Sequence, residues 1–372
     1  MKQAFRLGKI SAAAAILLSG LWRFSFISDA ATTEPASAPT TTTAPVIPQV
    51  HWRDQYLPAA EQANKDNTLL LVVYMEDDSP ACQAFENLSL KRASVRCFLA
   101  SFSAVKVDIT TTEGRGLFAK TGTAETPLTQ VITPKGKLLD NIPGCIIPAS
   151  ALMERLEYSL DYWSAVGEKA PDAVSRWAAV QARLKLSTRA ESVPLIDKLL
   201  KMPVRKLPAG VTQARLRLAK GKALMFTKPD DADKNLKKAL KLGSGDPSAE
   251  GEAMLELAHL SEIKENYKQA HDYCRRYIES FPSGASIGEA YYKKAVLEFQ
   301  SLDDKSAAGK TLEKFIREYP NDPKVVSARQ LLKMIDPARE VSSRQERRLE
   351  PGAIPTTTTA PASAPASKDA KK

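Results

Sequence analysis

The sequence predicts two folded domains in tandem: an α/β domain with a central mixed sheet flanked by helices, then an all-α solenoid of paired helices. Three observations predict this. Helix, strand and turn signals alternate from residue 54 to residue 160. From residue 165 onward only helical periodicity is present. Its last part repeats itself at an interval of 38 residues, with Pro282 and Pro320 closing successive units. Alternating helix and strand patterns give a sheet with a parallel core, whereas a fixed period of this length gives stacked supersecondary units.

The first ordered element is an amphipathic helix over 54–65. The run TLLLVVY at 68–74 is apolar on both faces and of strand length, which suits a central strand covered by helices on either side. Residues 80–90 read as a short helix and AVKVDI at 104–109 as a second strand, followed by a helix over 113–120 that Gly122 ends. Strands over 128–133 and 137–142 form a hairpin across Pro134-Lys135-Gly136, whose proline and glycine suit a turn. A helix over 149–163 closes the domain.

In the second half, Tyr267 to Ala270 leads into Tyr277-Ile278 and then Phe281-Pro282. Ala307-Ala308 leads in the same way into Phe315-Ile316 and Tyr319-Pro320. One interval earlier, Ala232 stands 38 before Ala270 and Leu240 stands 38 before Ile278. Glu252-Ala253 and Glu289-Ala290 are read as opening the first helix of their units. Alanines at fixed places let helices approach closely, and the aliphatic-aromatic clusters fill the seams between units. One helix pair cannot cover its own apolar face, so several must stack, with the weaker helices of 173–201 as the capping pair.

Charge and cysteine usage narrow the chemistry. The net charge of +10 is unevenly spread: residues 50–163 carry 11 basic and 14 acidic side chains, and residues 164–350 carry 35 basic and 26 acidic. A partner selected by charge is therefore expected at the second half, where a basic face suits anionic envelope polymers. Four cysteines (Cys82, Cys97, Cys145, Cys274) form no CxxC pair and no Cys/His cluster with metal-ligand spacing, so neither a metal nor another cofactor is expected. With His51, His259 and His271 as the histidines, a Ser-His-Asp triad has little support. Cys97 and Cys274 are expected as small buried packing residues, Trp52 as packing the first helix against the sheet, and the Lys237-Lys238 and Arg275-Arg276 pairs as solvated helix faces.

The termini read differently. Lys2, Arg6 and Lys9 precede a mostly apolar stretch over 10–22 and then Ser28-Asp29-Ala30, the pattern of a signal peptide over 1–30. That predicts export to the periplasm or cell envelope, where nucleic acid is not an expected partner. Pro/Thr-rich segments at 31–49 and 341–372 share the heptapeptide PTTTTAP, at 39–45 and 355–361, and lack apolar periodicity, so they read as disordered linker and tail. The folded domains are thus placed at 50–163 and 164–340.

Four features at consistent spacing carry a resemblance to the thioredoxin superfamily. They are the buried strand over 69–74, the loop Asp77-Asp78-Ser79-Pro80-Ala81-Cys82, the Thr126-Pro127 step within GTAETP, and Gly144 after the last strand. The helical half, chiefly 252–335, resembles tetratricopeptide repeats whose units end in an aromatic residue and a proline. The first resemblance implies a cis bond at Thr126–Pro127 facing the loop at the start of a helix, with Gly144 and Cys145 beside a groove for extended polypeptide. The second implies a concave face for a protein partner.

The departures from the thioredoxin pattern all point one way. The family's nucleophilic cysteine falls on Ser79, and a serine hydroxyl cannot form a mixed disulfide. Cys82 matches the second cysteine, which does not start exchange. Asp78 stands where tryptophan is usual, and Val73 stands where the family carries a buried carboxylate. Glu76, Asp77 and Asp78 add negative charge that opposes thiolate formation. The expected function is therefore an exported binding or scaffold protein, with Pro127, Thr126, Gly144 and Cys145 as binding residues. The competing expectation is an atypical thiol-disulfide oxidoreductase using Cys82 with Cys145 or a partner's thiol, the candidate catalytic positions being Cys82 and Ser79. A Cys82–Cys145 disulfide would need Cα atoms within about 7 Å.

Overall fold

The computed structural model describes residues 50–144, 147–166 and 172–336. The expected signal peptide and linker at 1–49 and the tail at 341–372 lie outside these residues. Among the described residues no helix is long and apolar enough to cross a membrane.

The first domain is built on a five-stranded sheet in the order β1-β3-β2-β4-β5. The strands are β1 (Trp52–Arg53), β2 (Leu70–Met75), β3 (Ser103–Asp108), β4 (Leu128–Ile132) and β5 (Leu138–Pro143). β3 pairs in parallel with β1 and with β2, while β4 pairs antiparallel with both β2 and β5. All six residues of β2 are buried, because both faces of this central strand are covered. Leu70, Val72 and Tyr74 pack with Ala59 and Ala63 of α1 (Tyr56–Asp66) and with Phe118 of α4 (Thr112–Ala119). Leu71, Val73 and Met75 point the other way, into a cluster with α2 (Pro80–Phe85), α3 (Ala93–Leu99) and α5 (Ala149–Val166). The period-2 alternation of side chains along the strand thus feeds two separate cores.

Local chemistry fixes the boundaries. Asn67, at φ 53°, ends α1 in the left-handed region that asparagine tolerates. The hydroxyl of Thr111 accepts from the Gly114 N–H and caps α4. The β4–β5 turn uses Gly136 at φ +77°, where a Cβ would be strained. Two features escaped the sequence reading. β1 is a two-residue edge strand carrying Trp52, which Lys106 of β3 overlies at 5.0 Å, so the tryptophan sits on the sheet edge rather than beneath the first helix. The helix expected over 80–90 is regular only to Phe85, and Glu86–Leu90 forms a wider π turn.

The helical half contains α6 (Ala173–Arg183), α7 (Val193–Leu200), α8 (Gln213–Leu224), α9 (Pro229–Leu242), α10 (Pro247–Ile263), α11 (Tyr267–Ser280), α12 (Ile287–Val296), α13 (Lys305–Glu318) and α14 (Val325–Ile335). The 38-residue period is exact in the second helix of each pair: α9, α11 and α13 begin at 229, 267 and 305 and end at 242, 280 and 318. Ala232, Ala270 and Ala308 are fully buried at equivalent places, as are Leu236, Cys274 and Leu312. Cys274 thus holds a core position that leucine holds in its neighbours, and burial pushes its thiol pKa up to about 12. Even the backbone repeats: Glu265 and Asp303 take positive φ, and the next residues, Asn266 and Asp304, cap α11 and α13. The first helices are less regular, and α10 starts at Pro247, so Glu252 lies in its second turn rather than at its start.

Helical and α/β parts share a core. Leu186, just past α6, is fully buried among residues of β4, β5, α2 and α5. Asp140 of β5 is also fully buried; it receives the Arg155 guanidinium and the N–H groups of Asn141 and Ser187. The Thr188 hydroxyl donates to the Leu139 carbonyl, and Lys137 pairs with Glu191. The outer edge of β5 is thereby covered, which removes an exposed row of backbone groups.

Candidate functional site

The loop Asp77-Asp78-Ser79 delivers the chain to the N-terminus of α2, where Pro80 takes the first helical position without wasting an N–H. Ser79 is the half-exposed residue before that helix, and its hydroxyl makes no capping bond. Its carbonyl accepts from the Gln83 N–H, and its own N–H donates to the Glu76 carbonyl. Cys82 lies one turn into α2 and faces inward, with 0% of its surface exposed. The Glu76 N–H donates to the Cys82 Sγ at 3.4 Å, and Cys82 is a free thiol. Val73 packs in the same cluster, so an aliphatic side chain fills the neighbourhood in which a carboxylate would help deprotonate the sulfur.

The Thr126–Pro127 bond is cis. Pro127 is buried and Thr126 half-buried. Across from it, the Gly144 N–H donates to the Pro127 carbonyl at 3.2 Å. A Cβ on Gly144 would lie 2.5 Å from the Ile147 side chain, so a larger residue there would have to displace that side chain. Cys145 lies outside the described residues. Glu76, Asp77, Asp78 and Glu125 surround this region, and none of them pairs with a cation among the described residues.

The other two described cysteines differ from each other. Cys274 is buried, in line with its reading as a packing residue. Cys97 is exposed, against expectation, because α3 turns Val95 and Leu99 inward and leaves position 97 on the solvent side. A helix this short gives the periodicity argument only two anchor positions.

A concave region lies in the repeats. A groove of about 510 Å³ runs between α10 and α12, with Tyr277 and Phe281 at its base. It adjoins a smaller one of about 260 Å³ over α6 and α8, and the two share Ser248 and Glu252. The repeat pattern implies a concave face but does not single out these residues. Their signal was present in α10, which carries four glutamates and no lysine or arginine.

A family model described as tetratricopeptide repeat matches residues 289–322, from the first turn of α12 to just beyond α13. Among solved structures the chain is similar to a DsbH oxidoreductase, at 18% identity and a TM-score of 0.30, covering 34% of this chain and 94% of that one. It is similar also to a thioredoxin from Thermus thermophilus, at 22% identity and a TM-score of 0.30, covering 32% of this chain and 93% of that one. A search of curated proteins finds no match. The sheet order, the loop at the start of α2 and the cis proline define a thioredoxin-like domain. The chain joins that domain to tetratricopeptide-like repeats, a module that generally mediates contacts between proteins.

Proposed function

We propose that this chain is an exported adaptor of the cell envelope. Its thioredoxin-like domain holds extended polypeptide beside Pro127 without redox turnover, with Thr126 and Gly144 lining the contact, and its repeats recruit a second protein. One observation carries the reading. The half-exposed position at the α2 N-terminus is a serine, and the cysteine that remains is fully buried with its sulfur bonded to the Glu76 amide. Thiol-disulfide exchange begins with attack by an accessible thiolate. Holding an extended chain needs no thiolate, only shape and backbone hydrogen-bonding groups. The pattern of residues 1–30 supports export.

The test pairs two measurements on the chain without residues 1–30. Dithiothreitol-driven reduction of insulin should run no faster with the protein than without it. A photo-reactive benzoylphenylalanine at Glu125, beside the cis bond, should capture bound polypeptide, and the same group at Glu113 should not. Turnover comparable to that of a dithiol thioredoxin would overturn the reading. Alkylation of Cys82 in the native chain would favour the alternative, an oxidoreductase working through that sulfur.

A further inference from the structure

The helical half is strongly basic, yet its larger groove is not. Across 172–336 there are 30 lysines and arginines against 22 acidic residues. On the wall between α10 and α12 the balance reverses. Glu252 and Glu256 share the single ammonium of Lys222, at 2.6 and 3.4 Å. Lys293 is held by Glu262 at 2.6 Å. Glu289 is exposed on the groove and has no ion pair among the described residues. The groove's own lining thus sets three carboxylates, Glu252, Glu256 and Glu289, against the ammonium of Lys293, which Glu262 already engages, around a cavity lined also by the aromatic pair Tyr277 and Phe281, 5.4 Å apart. The adjoining groove over α6 and α8 has the opposite sign, with Lys185, Arg215 and Lys222 against Glu252. Arg215 is partly neutralised there by Asp246 at 2.7 Å.

We infer that the α10–α12 groove takes a peptide segment that places a lysine or arginine side chain over Glu289 and Glu256 and sets an adjacent apolar side chain against Tyr277 and Phe281. The inference rests on the adaptor reading and adds the chemistry of the partner. Charge complementarity decides the sign: a cation entering this groove neutralises carboxylates the fold leaves uncompensated, whereas an anion meets repulsion and a wall that supplies no free donor cation. The change of sign toward α6 also fixes direction, since a segment lying along both grooves is favoured with its cationic end over α12. The domain as a whole carries net positive charge, so a cationic ligand gains most where carboxylates outnumber cations, as they do in this groove.

The test uses the chain lacking residues 1–30 and two short fluorescein-labelled peptides, one alternating leucine with arginine and one alternating leucine with glutamate. Fluorescence anisotropy should show binding of the arginine peptide and weakening with added salt. Glu289→Gln, which breaks no ion pair, combined with Glu256→Gln, should raise its Kd about tenfold, the effect of removing charged partners at a partly desolvated contact. Glu76→Gln/Asp77→Asn/Asp78→Asn, which removes the other acidic patch, should leave that Kd unchanged. Equal or tighter binding of the glutamate peptide, no binding of the arginine peptide, or no response to the Glu289/Glu256 pair would each overturn the inference. None of those results touches capture at Glu125, so the adaptor reading stands or falls separately.

Discussion

At position 79 a single oxygen replaces a sulfur, and its consequence depends on where position 82 points. Ser79 stands at the start of α2, where helix N–H groups and the dipole would favour a thiolate if one were present. Cys82 is turned into the core one helical turn later. In the native chain, an aromatic disulfide reagent should therefore modify Cys97 quickly, and Cys82 and Cys274 only after denaturation, read by mass spectrometry of the tryptic peptides. Residues three apart at a helix start have Cα atoms within the span of about 4.4–6.8 Å that a disulfide bridges. Ser79→Cys should accordingly close onto Cys82 in oxidised glutathione buffer, seen as the loss of two hydrogen atoms by mass. If the variant stays fully reduced there, the loop differs in geometry from the thioredoxin pattern.

The elements of the helical half are held by a few buried polar contacts as well as by packing. The most constrained is Glu298, 4% exposed on the π turn Leu297–Ser301 that follows α12. It receives the Lys294 ammonium at 2.5 Å, the Thr311 hydroxyl at 2.7 Å and His271 Nε2 at 3.0 Å, and so ties α11, α12 and α13 together. Burial alone would raise the Glu298 carboxyl pKa; the bonds from Lys294, Thr311 and His271 reverse that and hold it below the ordinary carboxylate range. A folded-state pKa below the unfolded value means that the stabilisation is fully present above about pH 4.3. It is lost as pH falls through the lower folded value. Glu298→Ala should cost about 3 kcal/mol at neutral pH, by leaving Lys294 without its partner in a partly buried site. It should also flatten the acid limb of the stability curve, measured by urea unfolding between neutral and acidic pH. An unchanged acid limb would mean that another carboxylate controls it.

At the scale of the whole molecule, the joint between sheet and repeats is part of the core. Leu186 fills the α/β core from the helical side, and Asp140 anchors Ser187 while holding Arg155. Leu186→Ala should cost about 2–5 kcal/mol, the range for truncating a fully buried leucine. The loss should register in both parts, because the same loop positions α6 and α7. Tryptophan fluorescence of the chain lacking residues 1–30 and carrying Trp177→Phe, which leaves Trp52 and Trp163 of the α/β part as reporters, and far-ultraviolet ellipticity, dominated by the repeats, should show unfolding in coincident transitions. Two separated transitions would show that the joint does not couple the parts. Such coupling gives a groove in the sheet domain and a groove in the repeats a fixed relation along one chain.

Elements whose causes are local or periodic were legible in the order of the residues. The doubly apolar run at 68–74 became the buried centre of the sheet, and the 38-residue period became three second helices with identical offsets. Both follow from patterns in which each residue's environment depends on its near neighbours. The GTAETP step was also legible, since it contains the proline that is cis in the fold. Tertiary structure alone decided the rest. Strand β1 is too short to show a period and exists only because β3 offers an edge. Cys97 was expected inside and lies outside, because it sits about half a turn around a seven-residue helix from the inward-facing Val95 and Leu99. Leu186 belongs to the helical stretch in sequence and to the α/β core in space, a contact between segments tens of residues apart that no local pattern encodes. The acidic groove is of the same kind: a basic domain gains a negative cavity only when Glu252 and Glu256 of α10 and Glu289 of α12 are folded to face the same space.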